Sequence, residues 1–367
     1  MTTETRDTSL VAAFPPLWLR DNCSCFECRD SSGHQKLFQL LDLPEDVNVL
    51  EIVERDDEIE ITFLPDHHRS VFSSEWLRSQ TAAHVLEGRT EVSKQLWRAN
   101  DIDLTALTTM WTEYCVDDLE RLRVLRGVER LGLALIEGTP AAPDTVLDIV
   151  ATFGFVRETN YGELFDVRIE PDPRNLAFTG LAITPHTDNP YRDPVPTMQL
   201  LHCLVNSVEG GESGLVDGFL AASLLRDEDP RSFDVLTTTS VDFAWSDSYS
   251  SLRARRPLIE VDEHGHVRAV RFNNRSMQAL HLEYDHVVKF YAAYRRFAAI
   301  LARPELEFAF RLGPGDCVIF DNTRLMHSRT AFEESSNGSR HLQGCYADLD
   351  GLASTVEILE RSTNGAR

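Results

Sequence analysis

Two groups of residues in this 367-residue chain have the types and spacing of metal ligands. The first contains His186 and Asp188, in the proline-bracketed run ITPHTDNPYRDP. In an extended segment residues i and i+2 point to the same side, so this imidazole and carboxylate can converge on one ion. Pro185 and Pro190 disfavour a helix, which would turn the two side chains apart. Downstream, the strand-like GDCVIFDNTRLMH ends on His327, and Arg340 follows thirteen residues later at the start of another apolar run. Two imidazoles and one carboxylate on one face of an ion leave the opposite face open, the donor set of non-haem Fe(II) sites that activate dioxygen. A guanidinium matches a carboxylate bidentately, so Arg340 would give such a site a place for an organic acid. Taken alone, the His-x-Asp unit equally describes a polar turn and Arg340 a surface charge; the ordered set of four carries the reading.

The second group is Cys23, Cys25 and Cys28, with a histidine, His67 or His68, after two strand-like runs. Three thiolates and one imidazole make a closed tetrahedral site, which suits structural zinc. The other cysteines, Cys115, Cys203, Cys317 and Cys345, lie singly in apolar or strand-like surroundings. Seven cysteines with one tight cluster fit a metal knot plus buried thiols better than a disulfide framework.

These residues need a scaffold, and the pattern around them supplies one. VNVLEIVER and IEITFL alternate as strands about the turn Asp56-Asp57-Glu58, then SSEWLRSQTAAHVL reads as a helix. Residues 1–85 form a small N-terminal unit, 86–104 a polar linker and 105–367 the catalytic domain. In the last, VDDLERLRVLRGVERLG and APDTVLDIVATFG read as helices around LALIEG. Short strands follow: LFDVRIE, MQLLHCLV, SGLVDGF, VDFAW, RPLIEVD, HVRAVRF, LEFAFRL and DCVIFD, with hairpins expected at His264-Gly265 and Pro314-Gly315. One long helix, LEYDHVVKFYAAYRRFAAILAR, interrupts the series. Many short strands with helical insertions predict a mainly β (α+β) sandwich or barrel. The net charge of −23 would repel nucleic acid and anionic lipid and favours small-molecule partners. With no apolar run near the ~20 residues of a membrane span and no basic leader, the expected location is cytoplasmic.

The chain resembles the γ-butyrobetaine hydroxylases and their trimethyllysine-dioxygenase relatives. The resemblance rests on PLWLRDNCSCFEC, LPDHHRSVFSSEWL, TPHTDNPYRDPVPTMQLLHCL, GGESGLVDGF, RFNNRS, FDNTRLMHSRTAF and SRHLQGCYAD, which occur in that order along nearly the whole chain. It implies a double-stranded β-helix (jelly-roll) domain preceded by a small zinc-binding domain, and a homodimer. It implies Fe(II) at His186, Asp188 and His327, and 2-oxoglutarate held by Arg340 and Ser213 with Leu201 lining its pocket. O2 is then consumed, with ascorbate as reductant, and zinc sits at Cys23, Cys25, Cys28 and His68. The trimethylammonium cage falls on Tyr161, Phe165, Phe178 and Tyr346, two of which are phenylalanine where the family has Trp and Tyr. The acidic end falls on Asn175 and Asn273, and Arg275 could share that face. The implied reaction is hydroxylation of γ-butyrobetaine to L-carnitine, a step of carnitine biosynthesis. Arg275 makes 2-(trimethylammonio)ethylphosphonate, or another quaternary ammonium acid, the alternative substrate. A zinc hydrolase would leave Arg340 without a role, and a non-catalytic binding protein would not need the complete triad.

Overall fold

The computed structural model describes residues 9–81, 94–172, 176–334 and 338–365. The chain divides into two units, Met1–Glu91 and Val92–Arg367. In the first, strands β1 (Asn48–Arg55), β2 (Glu58–Leu64) and β3 (Arg69–Ser73) form an antiparallel sheet in that order. The alternation of β2 buries Ile59, Ile61 and Phe63 against Val11, Leu19, Phe72 and Leu77. Ser73 caps the next helix, Ser74–Ser79, by accepting from the Trp76 N–H.

The second unit holds β4 (Thr108–Met110), β5 (Leu133–Glu137), β6 (Phe165–Val167), β7 (Ile183–His186), β8 (Met198–Asn206), β9 (Ser213–Asp217), β10 (Val241–Ser246), β11 (Ser251–Arg256), β12 (Ile259–Val261), β13 (Val267–Val270), β14 (Glu307–Phe310), β15 (Cys317–Asp321), β16 (Leu325–Arg329) and β17 (Arg340–Ala347). They make a major sheet in the order β4-β5-β15-β8-β17-β6 and a minor sheet in the order β14-β9-β16-β7, with β10-β11 and β12-β13 as separate pairs. The central strands of the major sheet are apolar on both faces, as a sheet covered on both sides requires. Ala134, Ile136, Met198, Leu200, Ile319 and Cys345 pack in one cluster with residues of the helices Asp118–Leu131, Thr145–Ala151 and Leu349–Gly365. Leu133, Leu135, Val318, Phe320 and Leu342 pack in another with Leu215 and Leu325 of the minor sheet. This is the jelly-roll, double-stranded β-helix architecture.

The β12-β13 hairpin forms around Gly265, whose φ of 81° suits glycine. The expected hairpin at Pro314-Gly315 does not. β14 pairs with β9 in the minor sheet and β15 with β5 and β8 in the major one, so this turn carries the chain between sheets. Among the described residues no helix is long and apolar enough to cross a membrane.

Candidate active site

His186 ends β7, and its direct partner across the minor sheet is His327 of β16. The pairing brings the two rings to a centroid separation of 4.1 Å. Asp188, one residue beyond the Thr187 turn, places Oδ1 3.4 Å from His186 Nε2 and Oδ2 3.8 Å from His327 Nε2. The turn is tied on both sides. Thr187 exchanges hydrogen bonds with Phe272 and its carbonyl accepts from Asn273 Nδ2 at 3.0 Å. The Asp188 N–H donates to Asn322 Oδ1 at 2.8 Å, while Asn322 Nδ2 donates to the carbonyls of Asp188 and Pro196. Asn189 follows at φ 55°, a left-handed conformation that asparagine tolerates.

The protonation states fit a metal. His186 Nδ1 lies 3.0 Å from the Thr184 carbonyl, which can only accept, so Nδ1 donates and Nε2 is the nitrogen turned toward the cluster. Burial, reinforced by His186, lowers His327 to about 3 and keeps it neutral. Burial raises the Asp188 carboxyl, but His327, His186 and the Tyr346 hydroxyl, which donates to Oδ2 at 2.9 Å, outweigh it and hold the group ionised. A neutral imidazole and an ionised carboxylate are the forms a metal binds.

The cluster opens into a cavity of about 360 Å³. At one end Arg340, the first residue of β17, is 2% exposed, and its Nε and Nη1 have no hydrogen-bond partner among the described residues. Burial lowers its pKa to about 10, the mark of a buried cation short of an anion. Ser213 and Leu201 line the same cavity, and Phe332 lies under the guanidinium at 5.4 Å. Gly211, at φ 69°, lets Arg340 pack on it: a Cβ there would stand 2.9 Å from Arg340 Cδ. Arg329, absent from the sequence reading, faces Phe332 too, but spends its guanidinium on the carbonyls of Ala177, Thr179 and Leu181.

Tyr161, Phe165, Phe178 and Tyr346 all line the cavity. Phe165 stacks on Tyr346 at 5.0 Å and Tyr161 is tilted against Phe165 at 6.3 Å. Gly344 makes room for this, since a Cβ would stand 2.5 Å from Phe165 Cζ. The wall continues into two residues the sequence reading missed. Trp245 lies 5.7 Å from Tyr161 and stacks with Tyr191, whose hydroxyl is 3.2 Å from that of Tyr161. Asn273 and Arg275 also line the cavity. The Asn273 carboxamide is largely engaged by backbone, donating to Thr187 and accepting from the Arg275 N–H. The Arg275 guanidinium has no hydrogen bond or ion pair among the described residues; burial lowers its pKa, with Asp188 opposing. Asn175 lies outside the described residues.

Residues 94–346 match the taurine catabolism dioxygenase TauD, TfdA family. The chain belongs to this dioxygenase family. Over 96% of its length it is 35% identical to the γ-butyrobetaine dioxygenase of Pseudomonas sp. (strain AK-1), covering 91% of that protein. It is 31% identical to the γ-butyrobetaine dioxygenase of Homo sapiens, over 96% of this chain and 92% of that one. A solved asparagine oxygenase, in complex with Fe(II), 3-hydroxyasparagine and succinate, shares the fold at a TM-score of 0.50 and 17% identity, over 63% of this chain and 81% of that one.

Ahead of the TauD, TfdA region, residues 6–78 match the γ-butyrobetaine hydroxylase-like N-terminal family. They hold the second cluster. His68 Nε2 lies 3.2, 3.6 and 3.5 Å from the Sγ atoms of Cys23, Cys25 and Cys28. Zinc with sulfur at about 2.3 Å and nitrogen at about 2.0 Å places neighbouring donors roughly 3.5 Å apart, so the set fits the ion. His67 is exposed at φ 54° and stays outside the cluster, which decides between the two histidines. Arg20 supports the knot, donating from Nη1 to Cys28 Sγ and from Nε to Asp66, which accepts the His68 N–H.

Proposed function

We propose that this member of the TauD, TfdA family hydroxylates γ-butyrobetaine to L-carnitine with Fe(II), 2-oxoglutarate and O2. The observation that carries the reading is a single cavity that joins a His-Asp-His cluster, a buried arginine unpaired among the described residues and an aromatic wall. The two γ-butyrobetaine dioxygenases that align over nearly the whole chain support the substrate. His186, Asp188 and His327 would hold Fe(II). Arg340 pairs with the distal carboxylate of 2-oxoglutarate, with Ser213 and Leu201 beside it. Bound there, Fe(II) and 2-oxoglutarate would together reduce and activate O2, the oxidant: one oxygen atom would enter the substrate C–H bond and the other succinate, with release of CO2.

The chain's own residues choose the substrate and the carbon. A trimethylammonium group donates no hydrogen bond and is held by aromatic faces. Tyr161, Phe165 and Tyr346 offer them beside the metal cluster, and Trp245 extends the wall. The carboxylate takes Arg275. Two anchors of opposite sign stretch the substrate, and their spacing fixes which methylene reaches the metal. The unpaired Arg275 guanidinium favours one alternative, the phosphonate analogue 2-(trimethylammonio)ethylphosphonate. The family's homodimer is the proposed assembly.

The test is succinate release and carnitine formation by the chelator-stripped, Fe(II)-reconstituted enzyme with ascorbate. Carnitine should appear in step with succinate, and Zn(II) should not replace Fe(II). Faster turnover of the phosphonate than of γ-butyrobetaine would transfer the assignment to the alternative. Substrate-independent succinate formation alone would overturn both.

A further inference from the structure

Among the described residues, the buried polar atoms of the cavity wall that lack a hydrogen-bond partner fall in two places. One is the Arg340 end. The other is beside the metal cluster and includes Asn189 Nδ2 and Gln199 Oε1. Asn189 has a use within the protein, since its Oδ1 accepts from the Tyr191 hydroxyl at 2.6 Å. Gln199 has none: it is 1% exposed, lines the cavity, and neither its Oε1 nor its Nε2 makes a hydrogen bond among the described residues, so Nε2 is left as a donor for a ligand. A strand in the middle of a sheet is an expensive place for an unpaired carboxamide, and an apolar side chain would fill it at no such cost.

The sheet register says what the amide faces. Gln199 stands directly opposite Phe320 of β15 and Tyr346 of β17. Cross-strand partners present their side chains to the same face. The Tyr346 hydroxyl touches Asp188, and the Phe320 ring lies 5.3 Å from that of His327, so Gln199 is level with the metal ligands. Along the same face come Leu201 opposite Gly344, then Leu342, and Arg340 at the far end of β17. An oxodiacid reaching from the metal to Arg340 has its chelating end on the Gln199 side.

We propose that the Gln199 carboxamide donates a hydrogen bond to the metal-chelating carboxylate of the 2-oxoacid and fixes its orientation. The proposal rests on the reading of the site as an Fe(II) and 2-oxoglutarate centre. It gives the oxoacid an anchor at each end, Arg340 for the distal carboxylate and Gln199 for the chelating one.

The test follows the visible charge-transfer band that a 2-oxoacid gives when it chelates Fe(II), titrated without O2 in the full-length protein. Loss of a hydrogen bond to a charged group is expected to weaken 2-oxoglutarate binding roughly ten- to hundredfold in Gln199→Leu and Gln199→Met. Fe(II) stoichiometry and thermal stability should be kept, because both changes remove an unpaired buried amide. Gln199→Glu should bind more weakly still, since it sets a carboxylate against a carboxylate. The decisive probe is 2-oxobutyrate, which keeps the chelating end and lacks the distal carboxylate. Its affinity should fall in Gln199→Leu and be insensitive to Arg340→Ala. Wild-type affinity and an unshifted band in Gln199→Leu, or a 2-oxobutyrate affinity indifferent to position 199, would overturn the proposal. A wild-type protein that gives no band with Fe(II) and 2-oxoglutarate would overturn the underlying reading of the site instead.

Discussion

Asp188 is held at both ends, its backbone by Asn322 and its carboxylate by the Tyr346 hydroxyl. Asn322 is 1% exposed and spends its whole carboxamide on the Asp188 and Pro196 backbone, so its effect on a metal passes through the ligand it positions. Groups that orient a metal ligand are worth about 10–100-fold in metal affinity. Asn322→Leu should therefore weaken Fe(II) binding by about that factor in an anaerobic titration while far-UV circular dichroism is retained. Unchanged Fe(II) affinity would show that the Thr187 ties to Phe272 and Asn273 suffice. The ligands themselves were legible because the His-x-Asp unit, the distal histidine and the arginine have fixed offsets and chemistry of their own. Asn322, Gln199, Tyr191 and Trp245 were not. Each sat in plain view, Asn322 within FDNTR and Gln199 within MQLLHCL, but what makes it functional is its partner or lack of one, and partners come from strand register.

At the scale of elements, β9, β16 and the helix Gly218–Glu228 are locked by a buried ion pair. Asp217 receives Nε and Nη2 of Arg324 at 3.1 and 2.7 Å and caps the helix through the N–H groups of Phe219 and Leu220. Arg324 also donates to the carbonyls of Arg130 and Gln95. Both charged side chains are wholly buried. Removing one partner of such a pair strands the other charge, at a cost of about 3–5 kcal/mol. Arg324→Met should lose about that much in urea unfolding, and a loss under 1 kcal/mol would mean that Asp217 is satisfied by its backbone donors alone. The strands of this region were readable from alternation and turn residues, but SGLVDGF, read as a strand throughout, ends its strand at Asp217, where the helix Gly218–Glu228 begins. The pairing was not. LEFAFRL and DCVIFD flank a glycine-rich turn as a hairpin would, yet they enter different sheets, because each finds its partners far away in β9, β5 and β8. β11, SLRARR, escaped notice because its apolar alternation is short, Leu252 and Ala254 alone among three arginines.

The whole molecule consists of two units with unequal means of staying folded. The second has three clusters of buried apolar residues and needs no metal to close them. Among the described residues the first buries one, made of Val11, Leu19, Val47, Ile59, Ile61, Phe63, Phe72 and Leu77, around a three-stranded sheet. A core of that size is marginal, and small domains commonly rely on a structural metal whose binding free energy becomes folding free energy. Metal also settles the thiols: burial and the charge of Cys23 push Cys28 up to about 12, against the pull of Arg20, so an apo knot holds a protonated, weakly coordinating group that zinc must deprotonate. A zinc-selective chelator applied to the full-length protein should thus abolish one calorimetric transition, that of residues 1–91. Cys25→Ser should do the same and lower the zinc content. The transition of residues 92–367 should persist, with the Fe(II) and 2-oxoglutarate charge-transfer band, because every ligand of that site lies in the second unit. A single transition that falls as a whole on zinc removal would show instead that the small core stands only as part of one cooperative fold.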